Sequence, residues 1–264
     1  MIKSTASALA LILGMLSGLA SAQITYVGST TIGEGLIPEA AKAFTAKTGI
    51  PFGSIEMPGS SKGLEMILRG EAQLAGISRS LTLEEKQRRF YYRIIGYDGV
   101  GIYVHPANPV TSLTKQQLKT IHTGQITNWN EVGGADAPIM CITQNWGASP
   151  AQMIEFQRNI MDGASYREDR KEFAQQSDQV TALLPEPYGI IAISPAFAQA
   201  GIKAVAIDGF APEPQHVQSG AYLLSRPLLL VSQAHSPSAV KQFIDFLLAP
   251  EGQEIVARKF VPIR

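Results

Sequence analysis

Three short segments of this 264-residue chain set hydroxyls and glycines at the start of a helical pattern: Ser29-Thr30-Thr31, Ser60-Ser61 and Gly147-Ala148-Ser149. Each follows an apolar, strand-like run. The first turn of a helix leaves backbone N–H groups unpaired and carries partial positive charge. Several such starts converging on one point can hold an oxyanion without a full cation, and hydroxyls add donors. Capping explains any one of them equally well; their recurrence in one chain points to a site. Ser78-Arg79 closes a further strand candidate, and Asp98 lies in Tyr97-Asp98-Gly99. A carboxylate repels a dianion unless a proton sits between them, so Asp98 as an acceptor admits HPO4 and rejects sulfate. As a turn residue beside Gly99 it has no such role. Arg79 is open to three roles: a fork of donors to an oxyanion, a support for Asp98, or a salt bridge at the edge of the fold.

Other chemistries find little here. The chain has one cysteine, Cys141, which excludes an intramolecular disulfide, and its four histidines (His105, His122, His216, His235) are scattered, which matches no familiar zinc spacing. There is no Gly-x-Ser-x-Gly elbow. We therefore expect no catalytic residues, no metal and no cofactor. Lysine plus arginine and aspartate plus glutamate both count 22, and a balanced charge argues against a nucleic-acid partner.

The elements that must position these residues follow from hydropathy. Met1-Ile2-Lys3 is basic, residues 8–19 are largely apolar, and Ala20-Ser21-Ala22 is a small-x-small site. That is the design of a secretory signal peptide, with cleavage expected after Ala22 and Gln23 as the mature N-terminus. The apolar run is too short to span a bilayer comfortably, and no later one is longer. Strands are predicted at 24–27, 52–57 and 73–77, with helices between them; Pro38 marks a kink or the start of regular helix. This alternation predicts a parallel sheet flanked by helices, with ligands beyond the carboxyl ends of the strands. Further on, the pattern predicts a charged helix at 83–90, a strand at 94–104, a strand at 139–143 leading to a helix at 151–160, and strands at 189–194 and 204–207. A strand interrupted by Pro227 is predicted at 222–232, and helix broken near Pro250 at 236–260.

These segments resemble the phosphate-binding protein family of phosphate ABC importers. The resemblance rests on Gly28-Ser29-Thr30-Thr31-Ile32-Gly33, Gly59-Ser60-Ser61, Ile77-Ser78-Arg79, Gly96-Tyr97-Asp98-Gly99, Gly124-Gln125-Ile126-Thr127-Asn128-Trp129, Leu224-Ser225-Arg226-Pro227-Leu228 and Pro250-Glu251-Gly252-Gln253, in that order. It implies an α/β, two-lobed periplasmic-binding-protein type II fold, each lobe a mixed sheet flanked by helices, with two hinge crossovers near 100–106 and within 222–230. Lobe one is expected at 23–103 and 224–264, lobe two at 104–223. Carried over by motif, the ligand contacts are Thr30, Thr31, Ser60, Ser78 and Asp98, with Ser61 and Arg79 beside them.

The second lobe departs from the family pattern. Gln144 stands where an arginine is usual, and Gly147-Ala148-Ser149-Pro150 replaces Gly-Ser-Gly-Thr. Ser149, Pro150 and Gln152 read equally as a capping box for the following helix. Gln144, Gly147 and Ser149 are thus the second-lobe candidates, with Gln144, Asn145 or Trp146 available to replace the arginine. The resemblance implies a monomeric periplasmic protein that binds inorganic phosphate or another small oxyanion and delivers it to an ABC permease complex. The departures leave a second reading open: the same fold binding a different small ligand, or serving as a sensor or surface protein.

Overall fold

The strand–helix alternation predicted for the first part of the chain is present in the computed structural model, which describes residues 23–145 and 151–263. The expected leader at 1–22 lies outside the described residues. β1 (Ile24–Gly28), β2 (Phe52–Glu56) and β3 (Leu74–Ile77) alternate with α1 (Thr30–Gly35), α2 (Ile37–Thr48) and α3 (Ser60–Arg69). β1 is parallel to both β2 and β3, so the loops leaving all three strands gather at one edge. Pro38 occupies the first turn of α2, where its missing N–H costs nothing.

The chain continues through α4 (Leu83–Gln87), β4 (Phe90–Gly99), β5 (Gly101–Val104), β6 (Ser112–Leu113), α5 (Lys115–Thr123) and β7 (Met140–Gln144). Then come α6 (Ala151–Asn159), β8 (Lys171–Phe173), α7 (Gln176–Leu183), β9 (Gly189–Ile193) and β10 (Lys203–Ile207). α8 (Pro214–Ser219), β11 (Ser225–Gln233), α9 (Ser238–Leu248) and α10 (Pro250–Ala257) complete it. The helix expected at 83–90 stops at Gln87 because Phe90 already begins β4.

The strands form two mixed sheets. One is five-stranded in the order β2-β1-β3-β11-β4; the other is six-stranded in the order β6-β10-β5-β9-β7-β8. This is the two-lobed α/β architecture expected. The single strand predicted at 94–104 is two strands, since the backbone leaves the first sheet at Val100 and β5 pairs with β9 and β10 in the second. The first crossing therefore comes before the expected boundary at 103. The return crossing lies between Gly220 and Ser225.

Each lobe has its own core. In lobe one, Phe44 packs edge-on against Phe243 with ring centroids 5.3 Å apart, amid Ile24, Leu74 and Leu230; α3 covers the opposite face with Leu64 and Ile67. In lobe two, Trp129 and Phe156 centre the cluster. His122 lies against Phe156, and burial pushes its imidazole down to about 4. No helix among the described residues is long and apolar enough to cross a membrane.

Two glycines set how closely β3 and α3 approach β1. Gly28 has φ 119°, and a Cβ there would meet the Gly76 carbonyl at 2.4 Å. A Cβ on Gly63 would meet the Gly28 Cα at 2.5 Å. Only glycine permits this approach, which brings the first turn of α3 over the end of β1.

Candidate functional site

Ser29 and Ser78 directly follow parallel strands β1 and β3, and Ser60 opens α3, so their hydroxyls meet at the strand ends. Ser29 Oγ donates to Ser78 Oγ at 2.9 Å, and the Ser78 backbone N–H donates to Ser60 Oγ at 3.2 Å. Ser29 also caps α1, accepting from the Ile32 N–H at 3.4 Å. Thr30 and Thr31 form the first turn of α1.

A second cluster is built around Arg226. The antiparallel ladder of β4 and β11 sets Arg226 directly opposite Asp98. Arg226 Nε and Nη2 both donate to Asp98 Oδ2, at 3.0 and 2.7 Å. Nη2 also donates to Thr31 Oγ1 at 3.1 Å. Nη1 is buried and has no hydrogen-bond partner among the described residues.

Lobe two closes onto the same groups. Gln176, the first residue of α7, donates from Nε2 to Thr31 Oγ1 at 3.2 Å. Its Oε1 accepts the Ser194 N–H at 2.8 Å. Ser194, just past β9, donates from Oγ to Asp98 Oδ1 at 2.7 Å. Ser29, Thr30, Thr31, Ser60, Ser78, Asp98, Gln176, Ser194 and Arg226 are all 3 % exposed or less. The described lobes therefore meet across a buried, polar seam.

The structure separates the other candidates from this seam. Arg79 is not the partner of Asp98. It forms a fork with Glu85, Nη1 to Oε2 and Nη2 to Oε1, both 2.8 Å, and spends further N–H groups on the Ser80 carbonyl and Ser61 Oγ. The Arg79 hydrogen bonds hold the Glu85 carboxyl below its ordinary range. The same Glu85 completes a capping box with Thr82 at the start of α4. Of the three roles open to Arg79, the salt bridge is the observed one, and Ser61 supports it. Gln144 is buried and directs one amide N–H to the Ala174 carbonyl at 2.9 Å, which ties it to the approach to α7. Gly147 and Ser149 lie outside the described residues, as does Trp146.

Arg226, Gln176 and Ser194 were missed as site residues by sequence reasoning. A signal for Arg226 was available: one arginine inside the apolar run from Tyr222 to Val231 must be paired if that strand is buried. Glutamine and serine carry no comparable mark.

The arrangement suits holding an anion. Cys141 is buried, and burial pushes its thiol up to about 11, far from a thiolate at neutral pH. Among the described residues no group of three or more histidines, cysteines or acids could hold a metal ion. What the seam offers is hydroxyls, the first turn of α3, and a guanidinium whose charge is balanced by one carboxylate.

A model of the PBP superfamily domain matches residues 16–251. The phosphate-binding protein PstS of Borreliella burgdorferi is 25% identical over 246 residues, covering 89% of this chain and 88% of the relative. PstS of Bacillus subtilis is 26% identical over 251 residues, covering 92% and 82%. Among solved structures, a protein from Clostridium perfringens described as a phosphate ABC transporter substrate-binding protein with bound phosphate superposes with a TM-score of 0.85 at 31% identity, covering 92% of this chain and 100% of that one. An ABC-type phosphate transport receptor from Vibrio cholerae gives a TM-score of 0.78 at 26% identity, with 90% and 98% covered.

Proposed function

The chain belongs to the PBP superfamily domain family, and on that premise we propose that it is the phosphate-binding component of an ABC importer. It is a solute-binding protein and not an enzyme. The phosphate-binding relatives and the phosphate-bound structural neighbour support this reading. The observation that carries it is Arg226 Nη1, a buried charged donor with no acceptor among the described residues, at the junction of Thr31 and Asp98. Leaving such a group unpaired costs about 1–3 kcal/mol or more, and an oxyanion oxygen satisfies it.

The proposed contacts are Thr30, Thr31, Ser60, Ser78, Asp98 and Arg226, together with Gly147 and Ser149. Arg79 and Ser61 act behind them. Arg226 supplies from β11 the guanidinium that Gln144 does not. Asp98 Oδ2 is filled by two Arg226 N–H groups, whereas among the described residues Oδ1 accepts only the Ser194 hydroxyl. A carboxylate oxygen has room for about two hydrogen bonds, so Oδ1 retains capacity for the proton of HPO4. Sulfate has none to give.

The protein is proposed to be exported, cleaved after Ala22, and to work in the periplasm as a monomer that docks on a permease complex. Lobe one comprises 23–99 and 225–264, and lobe two 101–224. The test is calorimetric titration of protein freed of ligand by unfolding and refolding, with phosphate and then sulfate near neutral pH. Tight phosphate binding with no sulfate response is expected. Silence with both overturns phosphate as the ligand and favours the reading in which the fold serves another small molecule.

A further inference from the structure

We propose that Gln176 is a positioning residue that makes Thr31 an obligate hydrogen-bond donor when the lobes close, and that Gln176 and Ser194 together latch the closed form. The role of Thr31 toward the ligand rests on the phosphate-binding reading above; the latch stands on geometry alone. Gln176 and Ser194 belong to lobe two, and Thr31, Asp98 and Arg226 to lobe one. The bonds from Gln176 Nε2 to Thr31 Oγ1 and from Ser194 Oγ to Asp98 Oδ1 therefore cross between lobes. Both end on groups that Arg226 holds in place.

The orientation of the Gln176 amide is determined. Its Oε1 faces the Ser194 backbone N–H at 2.8 Å, which can only donate. Flipping the amide would set two donors against each other, so the N–H groups face Thr31. A threonine hydroxyl has two acceptor sites and one proton. In the closed form both acceptor sites are occupied, by Arg226 Nη2 at 3.1 Å and Gln176 Nε2 at 3.2 Å. The proton of Thr31 has one use left, which is to donate to a third group. With the lobes apart, Arg226 alone engages Thr31, and the hydroxyl can accept as readily as it donates. Closure thus selects an unprotonated ligand oxygen at Thr31, while Asp98 Oδ1 takes the protonated one. Gln176 sets this polarity without touching the ligand.

The test compares Gln176→Leu with Gln176→Glu by stopped-flow phosphate binding, with thermal melting to verify that both fold. Gln176→Leu removes the bond to Thr31, made only on closure, together with the acceptor of the Ser194 N–H within lobe two. It should raise the dissociation rate about tenfold, the equivalent of one buried hydrogen bond, with the association rate within about twofold. Gln176→Glu keeps the shape but offers an acceptor to Thr31, which reverses the hydroxyl and withdraws its proton from the ligand. It should weaken binding further than Gln176→Leu, by about another tenfold. Glutamate also adds charge repulsion against the anion, so the leucine variant decides: a dissociation rate within about twofold of the unsubstituted protein overturns the proposal. A second readout needs no ligand. Spin labels at Glu65→Cys and Gln116→Cys, both exposed positions on opposite lobes, report the interlobe distance in ligand-free protein. Gln176→Leu should shift the distribution to longer distances. A shift in a protein that binds no phosphate supports the latch and sinks the phosphate reading. Tight phosphate binding with neither rate nor distance altered sinks the latch.

Discussion

Replacing Arg226 with alanine is expected to abolish measurable phosphate binding and to lower the free energy of unfolding by about 3–5 kcal/mol, the usual consequence of stripping one partner from a buried ion pair. Asp98 and Arg226 are each 1 % exposed, and Arg226 supplies two of the hydrogen bonds to Asp98. Without it the carboxylate is left buried beside the Ser194 hydroxyl alone, and Thr31 loses a donor. Lysine does not restore the arrangement, because a single ammonium cannot reproduce a planar fork that reaches Asp98 and Thr31 together. The double variant Arg226→Met/Asp98→Leu separates folding from function. Exchanging a buried pair for apolar residues of similar size is often neutral in stability, so this protein should regain most of the lost stability while remaining unable to bind. Urea unfolding of the three variants beside phosphate titration is the measurement. A loss below about 1 kcal/mol for Arg226→Ala, within the range of a surface pair, would show that the seam is wet and that the guanidinium is not the organising charge.

Asp98→Asn should turn a protein that rejects sulfate into one that binds it. The substitution removes the only carboxylate that contacts Arg226 among the described residues and leaves an amide oxygen to accept from the guanidinium. Two effects then act in the same direction. The positive charge of Arg226 is no longer cancelled locally, and the repulsion that a fully ionised ligand meets at Oδ1 disappears. A charge-assisted hydrogen bond is worth about 1.5–3 kcal/mol, so sulfate affinity should rise about tenfold to a hundredfold. Phosphate loses the acceptor for its proton, and the phosphate-to-sulfate preference should shrink accordingly. The stability loss should be smaller than for Arg226→Ala, because the guanidinium, though no longer charge-balanced, keeps hydrogen bonds to the amide oxygen and to Thr31 Oγ1. Competition titration of the variant decides the matter. An unchanged preference would place selectivity elsewhere, with residues 146–150 as the next to vary.

The two-sheet architecture was legible because its signals are local. Apolar runs alternate with helical spacing, and small polar residues mark the strand ends. Thr31, Ser60 and Asp98 could be read for the same reason: each lies in a short motif whose local chemistry suggests a role. Arg226 shows the limit. Its meaning comes from a ladder that sets residue 226 opposite residue 98, a pairing across the whole of lobe two that no local pattern encodes. Arg79 shows the complementary error. A guanidinium beside a presumed site invites a role in binding, yet Glu85, six residues further along, offers a closer and better-matched partner. Gln176 was hidden twice over. It carries no charge, and the strand and helix at 171–183 have too short and mixed a pattern to announce themselves. The crossing at Val100 was blurred because β4 and β5 read as one apolar run; the change of sheet there is a tertiary event.

The most direct test is a crystal structure of the refolded protein grown with phosphate as the only added oxyanion. The account predicts phosphate between the lobes, with one oxygen within hydrogen-bond distance of Arg226 Nη1, another accepting from Thr31 Oγ1, and a protonated oxygen against Asp98 Oδ1. Phosphate bound elsewhere, or bound in the cleft with Arg226 Nη1 turned away from it, would contradict the account.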